Sequence, residues 1–221
     1  MTNYHKKFLA DSEKIAFNQR HYKTLNFNIS KYDAAVVVGR KRYKDIQLAR
    51  TRTAYIKRHM LDNWDKYLVE FEKNAKKNGI EVLWAENAEQ ANTYFQKILK
   101  ENEARLMVKS KSMTTEEMET NHAAQAVGCE AVETDLGEFI VQVAGERPYH
   151  ILTPAMHKSK EDVAELFHDK FNLPANSTPQ EMTEYVRQVL RKKYVSADIG
   201  VTGANFLIAD IGGMAITENE G

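Results

Sequence analysis

The chain has 221 residues, a hydrophobic fraction of 43%, and 31 basic residues balanced by 31 acidic residues. Zero net charge does not indicate a nucleic-acid partner, and the apolar content is enough for a core without disulfides. Cys129 is the only cysteine, which excludes an intramolecular disulfide, a cysteine zinc site and an iron–sulfur cluster on this chain's own thiolates. No segment resembles a signal peptide or a membrane span, so the sequence predicts a cytoplasmic protein without membrane insertion.

The first 61 residues lack a clear hydrophobic period and are predicted to form an arm and a basic helix. Residues 1–30 mix Lys, Asn, His and isolated aromatic residues, which indicates short helical pieces. Residues 40–58 are rich in Lys and Arg without the aromatic interleaving of a single-strand binder, so a solvated helix face is favoured. Residues 1–61 are therefore interpreted as an N-terminal helical extension.

From residue 62 onward, short apolar segments alternate with amphipathic segments of helical period. The predicted strands are 80–84, 105–109, 129–133 and 149–153. The predicted helices are 64–77, 88–101, 114–127, 159–171 and 179–194. This alternation predicts an α/β domain with a largely parallel sheet over residues 62–221.

The C-terminal segment predicts a β-hairpin. Residues 205–209 and 214–217 have strand composition and flank a turn that contains Gly212 and Gly213. Because the sequence stops shortly after a buried-looking strand, we expect the domain to be truncated at its C-terminus. Unpaired strand edges favour association, so a homodimer through this hairpin is expected.

The segment after the second predicted strand is a candidate anion site. Lys109, Ser110, Lys111 and Ser112 lie where a parallel strand passes into a helix, the edge of the sheet at which ligands usually bind. Ammonium groups, hydroxyls and the free N–H groups of a helix start suit a carboxylate or phosphate. The alternative is two solvated lysines and a serine that caps the helix.

The segment after the third predicted strand carries three carboxylates, Glu133, Asp135 and Glu138. At the end of a strand they can transfer protons, hold a hydroxyl or bind a cation, and Glu138 is the candidate acid or base. The alternative is that they cap a helix that begins near Leu136. Thr202 and Gly203 follow in a glycine-containing segment that suits an anion, although taken alone the segment favours a plain turn.

His157 is the second catalytic candidate because an imidazole transfers protons near neutral pH. A helix-capping role is the alternative, and His150 is interpreted as structural. Two histidines at this spacing do not make a zinc site, so no metal site is predicted.

Several of these segments together resemble the lactate-utilization domain of the B and C proteins of bacterial lactate operons. The matching stretches are residues 67–72, 79–85, 108–117, 133–142, 150–157, 200–206 and 217–221. The first two of them are similar to the B family in particular. The resemblance implies a Rossmann-like fold of the sugar-isomerase and CoA-transferase type.

The family's B proteins continue into a ferredoxin-like region with two four-iron clusters and act with A and C partner subunits in oxidising L-lactate to pyruvate. The resemblance therefore implies a cofactor-free fragment of such an oxidoreductase subunit, inactive alone, that binds a small hydroxy or keto acid or a partner. Two alternatives stay open. One is a non-catalytic scaffold that positions the cluster region, and the other is a transferase-like domain for CoA or a sugar phosphate.

Overall fold

The computed structural model describes residues 3–217. The helices are α1 (Asn3–Ala16), α2 (Gln19–Arg40), α3 (Ile46–Asp62), α4 (Trp64–Lys77), α5 (Ala88–Glu101), α6 (Met113–Glu117), α7 (Thr120–Gln125), α8 (Leu136–Ala144), α9 (Lys160–Phe171) and α10 (Pro179–Ser196). The strands are β1 (Leu106–Lys109), β2 (Glu130–Glu133), β3 (Ile199–Val201), β4 (Phe206–Ile208) and β5 (Gly213–Ala215).

The chain divides into two compact units. The helical unit comprises the described residues up to Lys44 together with Ile140–Tyr185. The sheet unit comprises Asp45–Phe139 and the described residues from Val186 onward. The predicted boundary between an extension and a domain at residues 61 and 62 stays a prediction.

The helical unit has its core around Phe167, which is completely buried. The Phe167 ring meets the Phe171 ring edge-on at a centroid distance of 5.4 Å, and Tyr185 lies 5.2 Å from Phe171. The N-terminal segment forms longer helices than the short pieces expected, 14 residues in α1 and 22 in α2. Neither helix has a buried residue.

The sheet unit contains a parallel sheet with the strand order β2-β1-β3, which confirms the predicted α/β fold. Met107 in the central strand pairs with Ala131 of β2 and with Ile199 of β3. Strand β1 is buried at Met107 and Val108 because helices cover it. Residues from α5, α7, the sheet and the loops that precede β1 and β2 form one apolar cluster, namely Leu99, Ala104, Met107, Ala124, Cys129 and Ala131.

Two predicted strands are wrong. Residues 80–84 are irregular, and residues 149–153 form bends in the helical unit. An apolar segment becomes a strand only when a neighbouring strand accepts and donates its backbone hydrogen bonds. Neither segment has such a neighbour within residues 3–217, and Trp84 and Ile151 are about half exposed.

The predicted C-terminal hairpin is confirmed, with β4 and β5 antiparallel and Phe206 opposite Ala215. Its turn packs against the end of α4 through two asparagines. The Asn74 amide donates to the carbonyls of Ala209 and Asp210, and the Asn78 amide donates to that of Ile211. The sheet unit therefore holds the hairpin by its turn.

Within the described part of the chain, every helix is too short or too polar to cross a lipid bilayer.

Candidate functional site

The two candidate strand ends lie side by side at one edge of the parallel sheet. In the register between β1 and β2, Lys109 is the direct partner of Glu133, and each is the last residue of its strand. Beyond the ladder, the backbone N–H and the hydroxyl of Thr134 both donate to the Lys109 carbonyl, at 2.9 and 3.0 Å. The parallel pairing thus brings a lysine and a glutamate together at the carboxyl edge.

Lys109 lies among three glutamates, and these four residues are called the acid–lysine cluster below. Its Nζ atom is 3.0 Å from Glu133 Oε2, 3.2 Å from Glu116 Oε1 and 4.0 Å from Glu138 Oε2. The side chains of Lys109, Glu133 and Glu138 are 0%, 3% and 2% exposed, and only that of Glu116, at 26%, reaches solvent. Buried charges of this kind are tolerated only when paired.

The residues between β1 and β2 supply two members of the site that the sequence did not predict. The expected helix 114–127 is broken into α6 and α7 at Glu119, whose φ of 55° is left-handed. The first piece directs Glu116 to Lys109, and the second carries Asn121, whose amide donates to Glu133 Oε1 at 2.6 Å. The sequence signal for Glu116 was its position in the first turn of the helix that follows a lysine-ended strand.

The residues of the acid–lysine cluster shift one another's pKa values because they are close together. Burial lowers the pKa of Lys109, but the charges of Glu133, Glu138 and Glu116 and a hydrogen bond to Glu133 outweigh it and raise that pKa. Burial, together with the adjacent Glu133 carboxylate, raises the pKa of Glu138 to about 8. The lysine is therefore charged at neutral pH, whereas the Glu138 carboxyl can hold a proton there.

The second lysine of the segment forms its own pair beside the cluster. Lys111 Nζ lies 3.0 Å from Asp135 Oδ2, and the Lys111 side chain is only 10% exposed. Asp135 also accepts the backbone N–H of Glu138 at 2.9 Å, as a helix cap does. Helix capping, which was the alternative interpretation of these carboxylates, is thus present at Asp135, together with the ion pair to Lys111.

The third strand brings the remaining ligand candidates to the same edge. The Ser110 N–H donates to the Val201 carbonyl, and the Ser110 hydroxyl donates to Thr202 Oγ1 at 2.7 Å. Ser112 caps α6 by accepting from the Thr115 N–H, and a Cβ at Gly203 would lie 3.1 Å from Ser112 Oγ. The structure therefore collects Lys109 to Ser112, Glu133 to Glu138, Thr202 and Gly203 in the sheet unit.

His157 belongs to the helical unit. Its Nε2 is 2.6 Å from Glu146 Oε2, and its ring stacks on Tyr149 at a centroid distance of 4.7 Å. His150, interpreted as structural, accepts the backbone N–H groups of Leu152 and Thr153 through Nδ1. The structure thus places the two catalytic candidates, Glu138 and His157, in separate units.

Comparison of the sequence with known protein families gives the class of this protein. Residues 68–221 match the LUD domain, and the chain belongs to this family.

Curated relatives carry a more specific name. The chain is similar to proteins named Lactate utilization protein B, with 45% identity to that of Bacillus cytotoxicus and 43% to those of Bacillus thuringiensis and Bacillus cereus, each over 166 residues. Each alignment covers 75% of this chain and 35% of the relative, so the chain spans about a third of the length of these relatives. No solved structure matches the chain.

Proposed function

We propose that this chain is the LUD-domain portion of a lactate-utilization protein and binds a small hydroxy or keto acid at the carboxyl edge of β1, β2 and β3. The observation that carries the proposal is the meeting of Lys111 with Asp135 beside the acid–lysine cluster. A site that offers a cation, hydroxyls and carboxyl groups matches the groups of such an acid, a carboxylate next to a hydroxyl or carbonyl.

Each group of the ligand has a candidate partner. The Lys111 ammonium and the hydroxyls of Ser110 and Thr202 would hold the carboxylate, since a charge-assisted hydrogen bond is stronger than a neutral one. The substrate hydroxyl would face Asp135 and Glu138, and Glu138 is our candidate to exchange its proton. Lys109 differs from the role first expected of it, since its ammonium is committed to three glutamates.

We further propose that the parent protein takes part in oxidising L-lactate to pyruvate with A and C partner subunits. The two four-iron clusters expected of such a parent do not fit this chain. An iron–sulfur cluster is usually held by four thiolates. Cys129, the single cysteine of the chain, is buried in the apolar core of the sheet unit. The role of this chain would be to bind the acid or a partner, and we assign no electron-transfer step to its residues.

The binding proposal predicts a loss of affinity in the Lys111→Met variant. Removing the ammonium while keeping an apolar side chain should weaken binding of lactate or pyruvate by about 10- to 100-fold, because a hydrogen bond to a charged group contributes about 1.5–3 kcal/mol. Calorimetric titration of lactate, pyruvate and phosphate into both proteins measures this. Exposed Lys97, whose side chain is 69% accessible, provides the matched control Lys97→Met.

The same titration separates the alternatives. Tighter binding of phosphate than of either organic acid would favour a transferase-like domain for phosphorylated ligands. If no anion binds to the unaltered protein, a scaffold role is the better interpretation, and the hydroxy-acid proposal is wrong.

We also propose that the hairpin mediates a homodimer. Phe206, Leu207 and Met214 are 63%, 51% and 53% exposed, and an exposed edge strand with apolar side chains favours pairing with another chain. We expect a dimer by light scattering coupled to gel filtration, and a monomer after Phe206→Asp. A monomer at high concentration for the unaltered protein would contradict this proposal.

A further inference from the structure

We propose that Glu116 is the proton-relay residue of the candidate site and carries protons between the buried Glu138 carboxyl and solvent through the Lys109 ammonium. The use of this relay in catalysis rests on the proposed function, because Glu138 can exchange a proton with a substrate hydroxyl repeatedly only if that proton can leave the site. The relay itself is a property of the unliganded chain, so it can be tested without a hydroxy acid.

Burial separates Glu138 from the solvent that must take up or supply its proton. The Glu138 side chain is 2% exposed, and those of its neighbours Glu133 and Lys109 are 3% and 0% exposed. Glu116 lies 3.2 Å from the same Lys109 Nζ atom, and its side chain is 26% exposed. Within the acid–lysine cluster, Glu116 is therefore the carboxylate at which a proton can pass to water.

The contacts within the cluster indicate which carboxyl carries the proton. Glu133 and Glu138 lie within hydrogen-bond reach of each other, and an ionised carboxylate only accepts hydrogen bonds, so this bond requires a proton on one of the two. Glu133 is the ionised partner, because the Asn121 amide donates to it at 2.6 Å and the Lys109 ammonium lies 3.0 Å away. Lys109 Nζ is 4.0 Å from Glu138 Oε2, beyond hydrogen-bond distance, which agrees with a neutral carboxyl at Glu138.

The Lys109 ammonium connects the two ends of the path. It has three N–H donors, and its Nζ atom lies 3.0 Å from Glu133 Oε2 and 3.2 Å from Glu116 Oε1. As Lys109 gives one hydrogen to Glu116, it takes up the one that Glu138 passes on through Glu133. One O–H bond breaks at Glu138 and one forms at Glu116, while Lys109 keeps three hydrogens and no electrons are transferred. The raised pKa of Lys109 agrees with an ammonium that is charged before and after the transfer.

The groups that face Glu138 separate the rate of proton transfer from its equilibrium. Burial raises the pKa of Glu138 to about 8, with a contribution from the neighbouring Glu133. Asp135 acts in the same direction and Lys109 in the opposite one. Glu116 acts on the pKa of Lys109 instead. Replacement of Glu116 should therefore slow the relay but leave the pH at which Glu138 ionises nearly unchanged, a result that a purely structural role would not produce.

The test follows the protonation of Glu138 in the full 221-residue chain by time-resolved infrared spectroscopy after photolysis of a caged proton. The carboxylic acid C=O band that is absent from Glu138→Gln identifies the group. From a starting pH above the Glu138 pKa of about 8, the released proton should restore this band. We expect Glu116→Gln to slow its rise by roughly 10²-fold, the lower end of what a positioned acid or base contributes, with an unchanged midpoint in a static pH titration.

Two further variants control the experiment. Glu117→Gln removes an exposed carboxylate from the same helix and should leave the rate unchanged. Glu116→Asp keeps a carboxylate that can carry a proton and should restore part of the rate lost in Glu116→Gln. The proposal is overturned if the unaltered chain has no Glu138 acid band at neutral pH, or if that band rises as fast in Glu116→Gln. A relay that operates in a chain without any lactate binding would contradict only the hydroxy-acid function.

Discussion

Replacement of Lys109 by methionine is expected to lower the free energy of unfolding by about 3–5 kcal/mol, the cost of removing one partner from a buried ion pair. The Lys109 ammonium is completely buried and lies within 4.0 Å of three glutamates. Methionine keeps much of the side-chain volume, so the loss would come mainly from carboxylates left without a counter-charge. Urea unfolding followed by circular dichroism, with EDTA present to exclude cations, measures the change.

A surface lysine provides the comparison. Lys97 is 69% exposed and lies 3.6 Å from Glu101, and Lys97→Met should change the stability by no more than about 0.5 kcal/mol. A double variant isolates the electrostatic cause. Adding Glu133→Gln to Lys109→Met removes one stranded carboxylate and should restore part of the lost stability. An unchanged urea midpoint for Lys109→Met would show that the cluster does not need its lysine.

The strand-end residues could be predicted because they depend on local signals. A short apolar segment followed by Lys109 or Glu133 indicates a buried strand and the position at which it ends. Parallel pairing then places equivalent ends at one edge of the sheet, and the register places Lys109 directly beside Glu133. Local pattern and one topological rule were sufficient for this part of the site.

Asn121 escaped prediction because its position depends on a backbone break that the sequence does not indicate, whereas Glu116 precedes that break. Glu119 adopts a left-handed conformation with φ of 55°, which non-glycine residues seldom adopt. A continuous helix would have oriented Asn121 differently, since it advances by about 100° per residue. With the break, the Asn121 amide reaches Glu133 in the acid–lysine cluster.

The wrongly predicted strand at residues 149–153 shows where the local sequence pattern is not sufficient. The segment is rich in residues that favour strands, but a strand is defined by its neighbours as much as by its own side chains. In the structure these residues bend instead, with the Tyr149 N–H donating to the Pro154 carbonyl at 2.8 Å. His157 therefore does not follow a strand of the sheet.

Replacement of Gly212 by alanine is expected to detach the C-terminal hairpin from α4 and to destabilise the sheet unit by about 2–5 kcal/mol. Gly212 has a φ of +63°, and a Cβ there would lie 2.2 Å from the backbone of Asn74 and Ala75. Alanine would incur both the cost of a left-handed backbone and a clash with helix backbone that cannot rotate away. The hydrogen bonds from Asn74 and Asn78 to the turn should be lost with the contact.

Gly79→Ala separates the two contributions to this loss. Gly79 has a similar φ of +78°, but nothing lies within 4 Å of its Cβ position, so alanine there should cost only the conformational part, about 1–2 kcal/mol. Urea unfolding gives the stability of both variants, and hydrogen exchange of residues 205–217 reports on the hairpin itself. Faster exchange in Gly212→Ala alone would assign the effect to the clash with α4. Equal exchange and equal stability in the two variants would mean that the hairpin is not held by its turn.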